Sequence, residues 1–385
     1  MSFSFVPAKY RVGKAKKSSN AQEALNRLEE FLDDGIEEPV EILCRFWEDQ
    51  GNAIKYEELR EAVEAGALSA DLIELWRLDY VRLISGKFGR LWQDGVRAGA
   101  EKNIALDGLE FAFDMSRPGV SSWIENRGAE FVTYVVQEQK DAIAALLSKK
   151  NRDTHTVDEL SRMIRPCVGL YRQQVSAVMN YYNHAAATLS RDHPKMRQDT
   201  IERKARHAAQ MYAEKQHRYR AMMIARTECA FAYNRGADFG IRQAQEEGYL
   251  GTMVKRWSTS GDSRVCEICR SLEGIEIGMD DAFQDELERL AGKGKLKQYQ
   301  VRSAFRVADG LLPPAHPHCA CAVEYVEAER AARGALSGQA TAEFRTESGY
   351  GDFWAQQEVP DLSPDEEKAI RDYVGFDGFI LNEKL

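Results

Sequence analysis

The chain has 385 residues and a formal net charge of −9, and 44% of its residues are hydrophobic. This length predicts two or three domains with hydrophobic cores of their own. No apolar run approaches the ~18 residues that a membrane span needs, which excludes an integral membrane protein. The acidic balance excludes a protein whose whole surface is built for nucleic acid, so any contact with DNA must come from a local basic patch.

The first 20 residues form a basic segment. They contain five lysines and arginines, no acidic residue, and no apolar stretch of the kind that a secretory signal has. We interpret residues 1–20 as a basic arm, which is either a solvated tail or a segment that lies on an acidic partner or on DNA phosphates.

Residues 21–194 have a helical pattern with short breaks. Apolar residues recur at steps of three and four, and the tryptophans and tyrosines share this spacing, which is typical of helix–helix contacts. The chain break Asp192-His193-Pro194 ends the pattern. We therefore predict an all-α domain over residues 21–194 and find no catalytic signature in it.

Three details of this helical region can be predicted. One long helix is expected from Ser69 to about Gly99, and another from Ser121 to Lys150. Pro166 lies inside the next helical pattern and should kink that helix or mark its start.

A long helix, interrupted or bent, is predicted between Pro194 and Gly248. Its first part, residues 195–226, has nine lysines and arginines against three acidic residues. Such a face is either solvated or directed at phosphates or an acidic partner. Small residues after Ala225 predict close packing against another element. The residues assigned to a DNA contact are Lys195, Arg197, Arg203, Lys204, Arg206, Arg218 and Arg220.

The pattern changes after Gly248 to short extended segments. A strand is predicted over Val254–Trp257, a hairpin or short strand after Cys269, a helix from about Ala282 to Leu290, and a closing strand over Ala322–Val326. Residues 195–326 are therefore predicted to combine a long helix with a small α+β module.

Four of the seven cysteines form two close pairs beside a histidine. The donor residues are Cys266, Cys269, His316, Cys319 and Cys321. A Cys-x-x-Cys turn lets two thiolates meet one tetrahedral ion at ~2.3 Å, and soft thiolates with an imidazole favour zinc. The fold class expected for the whole chain is therefore mainly α, with a structural zinc site in the α+β module.

Five donors compete for four places around the ion. Either the four cysteines bind it, with His316 as an alternative ligand or a supporting partner, or the set is Cys266, Cys269, His316 and Cys319. His318 is expected to lie outside the ligand shell. The competing interpretations are free buried thiols and a disulfide that involves Cys266.

A catalytic zinc would need an open position and a general base. Glu267 and Glu273 are near enough in sequence, but no motif distinguishes either of them. The chain also lacks a phosphate-binding loop, a dinucleotide fingerprint, a nucleophile elbow and a zinc deaminase motif. We therefore do not expect an enzyme.

Several short motifs occur in a fixed order in the second half of the chain. They are Ala225-Arg226-Thr227-Glu228, Trp257, Asp262, Val265 to Cys269, Gly274, and Pro313 to Cys321. Together they resemble the Mu F-like family of phage minor head proteins, over about residues 200–326. One position differs, because the family usually has arginine where this chain has Ala320.

The resemblance implies a low-copy protein of the virion that binds the portal vertex of the capsid. Such proteins are associated with head morphogenesis: they take part in capsid assembly, DNA packaging or ejection, after a period in the host cytoplasm. The portal protein would be the main partner, with the major capsid protein or a scaffold as further partners. Residues 21–194 would then be the portal-docking domain and residues 195–326 the minor head domain.

Residues 327–385 are acidic, with thirteen acidic against six basic residues. We predict a linker followed by a C-terminal helix that starts after Ser363. That helix resembles the first helix of ADP-ribosyltransferase toxin domains, although the catalytic motifs of that fold do not occur in this sequence. The alternative functions are therefore the N-terminal part of an ADP-ribosyltransferase on a head-protein scaffold, and a DNA-binding protein.

Overall fold

The computed structural model describes residues 18–147, 156–305 and 310–328. These residues form a mainly helical protein with one small sheet, as expected. The predicted basic arm up to residue 17, and the predicted linker and C-terminal helix after residue 328, lie outside the described residues. Among the described helices, none combines the length and the apolar composition that crossing a bilayer requires.

Eight α-helices precede residue 195 in the described ranges. They are α1 (Ser19–Gly35), α2 (Glu37–Ala53), α3 (Tyr56–Ala65), α4 (Ala70–Leu83), α5 (Arg90–Glu101), α6 (Pro118–Leu147), α7 (Val157–Ile164) and α8 (Arg172–Asp192).

The remaining elements surround one very long helix. They are α9 (Gln198–Glu246), β1 (Met253–Ser258), α10 (Glu267–Leu272), β2 (Glu276–Gly278), α11 (Phe283–Gly292), α12 (Gln298–Ser303) and β3 (Ala322–Glu327). All three strands occur where the sequence predicts extended structure.

The prediction of a single helix from Ser69 to about Gly99 is wrong. Ser69 does start it, because its hydroxyl accepts a hydrogen bond from the Leu72 amide at 3.2 Å. A π-helical turn at Ile84–Phe88 then separates α4 from α5, and Gly86 leaves the helical region with φ −95° and ψ −124°. Glycine tolerates this backbone conformation, and the apolar pattern continues across the break.

Two further helix boundaries differ from the prediction. Helix α6 begins at Pro118, where the fixed φ of proline suits the first helical position. Pro166 does not kink a helix: α7 ends before it, and the proline lies in a short 3-10 turn, Arg165–Cys167.

The predicted interruption of α9 is absent, since α9 is one continuous helix of 49 residues.

Helix α9 contributes to all three hydrophobic cores of the described chain. Its residues 201–213 pack with α3, α7 and α8, and its residues 221–233 pack with α1, α2, α5 and α6. Residues 237–244 pack against the sheet and α10 to α12. The division of the chain at residue 194 stays a prediction, because α9 packs closely with helices that precede that point.

Helices α5 and α9 cross at very short distance, as the small residues of α9 predict. At Gly99, a methyl group would overlap the carbonyl oxygen of Tyr233, and at Gly236 it would overlap that of Val96. Only glycine allows the two backbones to approach this closely. This contact fixes α9 against the N-terminal helices.

The three strands form an antiparallel sheet in the order β2-β1-β3. Lys255 of β1 lies opposite Ile277 of β2 and Tyr325 of β3. Strand β3 is therefore held against both β1 and the end of α9, where Tyr325 donates a hydrogen bond to Asp238 at 3.4 Å.

We predict that Gly99→Ala and Gly236→Ala each lower the free energy of unfolding by about 1–3 kcal/mol, because the added methyl group overlaps a backbone carbonyl. Thermal melting measures the effect. Gly119→Ala is the control, since a methyl group there meets open space in the first turn of α6. Equal melting temperatures for all three variants would contradict the close α5–α9 contact.

Candidate metal centre

The five predicted donors converge at one end of the sheet. Cys266 caps α10 and Cys269 lies in its first turn, directly after β1 and its following loop. His316, Cys319 and Cys321 lie in the segment that leads into β3. The two cysteine pairs, 50 residues apart in sequence, thus come together because β1 and β3 are neighbours in the sheet.

The donor atoms lie at ligand-like distances. His316 Nε2 is 3.1 Å from Cys266 Sγ and 3.2 Å from Cys269 Sγ. Cys269 Sγ is 3.6 Å from Cys319 Sγ. The donors form two groups of three: Cys269 joins Cys266 and His316 in one, and Cys319 and Cys321 in the other.

The cluster is largely shielded from solvent. Cys269, Cys319, Cys321 and His316 are buried, and Cys266 is half-buried. All seven cysteines of the chain are free thiols, so the predicted alternative of a disulfide at Cys266 is wrong. We call the group Cys266, Cys269, His316, Cys319 and Cys321 the five-donor cluster.

Hydrogen bonds among the donors of the five-donor cluster shift their pKa values in different directions. Cys269 lowers the pKa of Cys266 to about 5, with a further contribution from His316. Burial opposes ionisation of Cys319, but hydrogen bonds with Cys269 and Cys321 lower its pKa well below the usual range. Burial would also lower the pKa of His316, yet the neighbouring Cys319 and Cys266 raise it to about 9. Hydrogen bonds with Cys266 and Cys319 raise the pKa of Cys269 well above the usual range, and the pKa of Cys321 is raised as well, with the neighbouring Cys319 as a main contributor. Cys266 and Cys319 are therefore the two thiols that are thiolates near neutral pH, the form that binds metals.

The donor set fits zinc. Two sulfur ligands at about 2.3 Å from one tetrahedral ion lie about 3.8 Å apart, close to the separation of Cys269 and Cys319. Thiolates and an imidazole are soft ligands that favour zinc over magnesium or calcium. The positions of the donors do not choose between Cys321 and His316 as the fourth ligand, because Cys269 links both.

His318 lies outside both groups of donors. Its backbone is in the left-handed region with φ 60°, and its ring packs on Tyr219. Burial lowers its pKa to about 4, so the ring stays neutral. That His318 lies outside the ligand shell stays a prediction.

The two carboxylates considered as catalytic bases have other contacts. Glu273 accepts a hydrogen bond from the Thr259 amide at 2.7 Å, and Glu267 accepts one from Gln300 at 2.6 Å. Both contacts tie loops of the α+β module together. That the protein is no enzyme stays a prediction.

Helix α9 holds the second half of the cluster in place. The Asn234 amide donates to the Cys321 carbonyl and accepts from the Val323 amide, both at 3.3 Å. Two turns earlier on the same face, Thr227 Oγ1 accepts a hydrogen bond from the His318 backbone amide at 3.2 Å. Sequence analysis missed these roles, although polar residues seven positions apart in a run of small residues were a usable signal.

The comparison with protein families agrees with the motif order. The family described as Phage Mu protein F like protein matches residues 170–324. The resemblance to the Mu F-like family is confirmed. The Mu F-like region thus covers α8, α9 and the α+β module up to β3, including the whole five-donor cluster. Comparisons with curated proteins and with solved structures gave no match.

The Mu F-like region is anchored to the N-terminal helices by a buried ion pair. Glu228 of α9 accepts hydrogen bonds from Arg127 of α6 at 2.6 and 2.8 Å and from the Trp92 indole of α5 at 3.0 Å. The Arg127 guanidinium also stacks on Phe231 at 4.3 Å. Loss of one partner would leave a buried charge unpaired, so this ion pair fixes the register of three helices.

The basic residues of α9 do not form one continuous DNA-facing surface. The prediction that Arg220 contacts DNA is wrong, because its side chain is only 1% exposed and forms an ion pair with Glu138 at 2.8 Å. Arg197 pairs with Asp199. Lys195, Arg203 and Arg218 are exposed, and Lys204 and Arg206 are half-buried.

We predict that Asn234→Ala lowers the free energy of unfolding by about 1–3 kcal/mol, because it leaves buried backbone groups at Cys321 and Val323 without a partner. It should also weaken metal retention, since those groups position the second half of the cluster. Chemical denaturation and metal content are the measurements. Asn126 is exposed on α6. Asn126→Ala is therefore the matched control and should change the free energy of unfolding by less than about 0.5 kcal/mol.

Proposed function

We propose that this protein is a phage minor head protein that acts at the portal vertex during head morphogenesis and is carried in the virion. The observation that supports this best is the five-donor cluster, which forms inside the segment that matches the Mu F-like family. The N-terminal helices contribute a large surface joined rigidly to that segment, as expected of a docking part. In this proposal the partners are the portal protein and other structural proteins of the same phage.

We further propose that a structural zinc ion closes the α+β module. Cys266, Cys269 and Cys319 would bind it, with Cys321 or His316 as the fourth ligand. The three short strands and short helices of this module enclose a modest core, and a structural zinc supplies on the order of 10 kcal/mol of folding free energy. Zinc would therefore hold the ends of β1 and β3 together.

The zinc proposal predicts that Cys266→Ser and Cys319→Ser each abolish stoichiometric zinc binding and lower the melting temperature. A chelator should have the same effect on the native protein but no further effect on either variant, because the ion is already lost. Elemental analysis and thermal melting measure this.

Cys44→Ser provides the control for that experiment. Cys44 is half-buried on α2, far from the cluster in sequence and absent from both donor groups. The Cys44→Ser variant should bind one zinc ion per chain, like the native protein. Native protein purified with zinc but containing none would contradict the proposal.

An apolar stripe on α4 is our candidate for the portal contact. Leu75, Leu78 and Val81 are spaced three residues apart and are 45%, 39% and 39% exposed. Exposed apolar side chains grouped on one helix face are typical of protein–protein contacts. The stripe lies in the part of the chain predicted to dock on the portal.

We predict that the double variant Leu75→Ser/Leu78→Ser weakens binding to the purified portal protein of the same phage at least tenfold, because two apolar contacts are lost. Surface plasmon resonance with immobilised portal protein measures the dissociation constant. Leu109→Ser, at an exposed leucine outside α4, is the control and should bind like the native chain. Unchanged binding by the double variant would reject α4 as the contact.

A further inference from the structure

A small cavity lies between α3, the α7–α8 turn and the first part of α9. Its volume is about 190 Å³. The lining residues are Tyr56, Leu59, Arg162, Arg165, Arg206 and Gln210. We call it the arginine cavity, and it lies in a different hydrophobic core from the five-donor cluster.

The charges around the arginine cavity are unbalanced. Three guanidinium groups line it and no carboxylate does. Arg162 and Arg206 form no ion pair with an acidic residue in the described ranges, in contrast to Arg197 just before α9 and Arg226 further along it. Arg162 and Arg165 are exposed and Arg206 is half-buried, so water screens part of their mutual repulsion, and an anion between them would lower it further.

The surrounding structure positions these side chains. Arg165 donates a hydrogen bond to the Ile54 carbonyl at 2.6 Å, which fixes its guanidinium at the end of α2. The hydroxyl of Tyr56, which lines the cavity, donates a hydrogen bond to Asp158 at 2.9 Å, and Asp158 also pairs with Arg60 at 3.7 Å. Leu59 is fully buried and forms an apolar floor.

We propose that the arginine cavity binds a phosphate group. Guanidinium forks match the oxygens of phosphate in bidentate geometry, and the Gln210 amide provides a further donor from the same face of α9 as Arg206. The cavity is open to solvent, so it can accommodate a phosphate that is either free or part of a DNA backbone. The phosphate belongs either to a DNA backbone or to a free anion, and the chemistry of recognition is the same.

The test compares two single variants with one matched control. Arg162→Gln and Arg206→Gln remove one guanidinium each from the cavity, while Arg203→Gln removes an exposed guanidinium from the same helix outside it. Each protein is titrated at low salt with inorganic phosphate, by calorimetry, and with a short DNA duplex, by fluorescence anisotropy. Melting temperatures confirm that the variants are folded.

We expect each cavity variant to weaken binding at least about tenfold, the effect of one lost charge-assisted hydrogen bond, and Arg203→Gln to change it less than about twofold. If DNA is the source, the slope of log affinity against log salt should also fall by about 0.9 per lost contact. If only inorganic phosphate binds, with the same dependence on the variants, the source is a free anion.

Two results would overturn the proposal. One is that the native protein binds neither inorganic phosphate nor DNA at low salt. The other is that Arg203→Gln weakens binding as much as the cavity variants, which would mean that diffuse surface charge is responsible. Neither result concerns zinc or the portal, so the proposed function is tested separately.

Discussion

The contact between α9 and the segment before β3 is the constraint on which the rest of the structure depends. Thr227 and Asn234 bind the backbone of this segment on one side, and β1 pairs with β3 on the other. Together they bring Cys319 and Cys321 to within reach of Cys266 and Cys269. The five-donor cluster is therefore a product of tertiary packing, and not of a local finger-like loop.

The same helix also transmits this constraint to the N-terminal half of the protein. Gly99 and Gly236 allow α5 and α9 to meet at backbone distance, and the buried pair of Arg127 with Glu228 fixes their register. A partner that binds the N-terminal helices would thus be rigidly related to the α+β module. This arrangement is compatible with the role in head morphogenesis that we propose.

The sequence predicts the cluster well because its chemistry is carried by residue types that are rare and closely spaced. It also predicts the strands β1 and β3 and the approximate ends of α9, which Pro194 and Gly248 delimit, although the interruption expected within α9 is absent. The break at Ile84–Phe88 escapes prediction because the apolar pattern runs through it and only the backbone of Gly86 departs from the helix.

The remaining misses depend on contacts between distant residues. The spacing of Thr227 and Asn234 marks one face of α9, but their partners, and those of Glu228, lie on other elements and are not given by the sequence of α9. Arg220 is similar: its place in a basic run suggests a surface residue, yet Glu138 of α6 pairs with it in the interior. The arginine cavity likewise joins Arg162 and Arg165 to Arg206 only after folding.

X-ray absorption at the zinc edge, on metal-replete native protein, tests the central claim most directly. The account predicts a tetrahedral site with three or four sulfur ligands at about 2.3 Å, the remaining place being taken by an imidazole nitrogen. A spectrum with oxygen ligands only, or with fewer than three sulfur atoms, would show that the distant cysteine pairs do not share one ion.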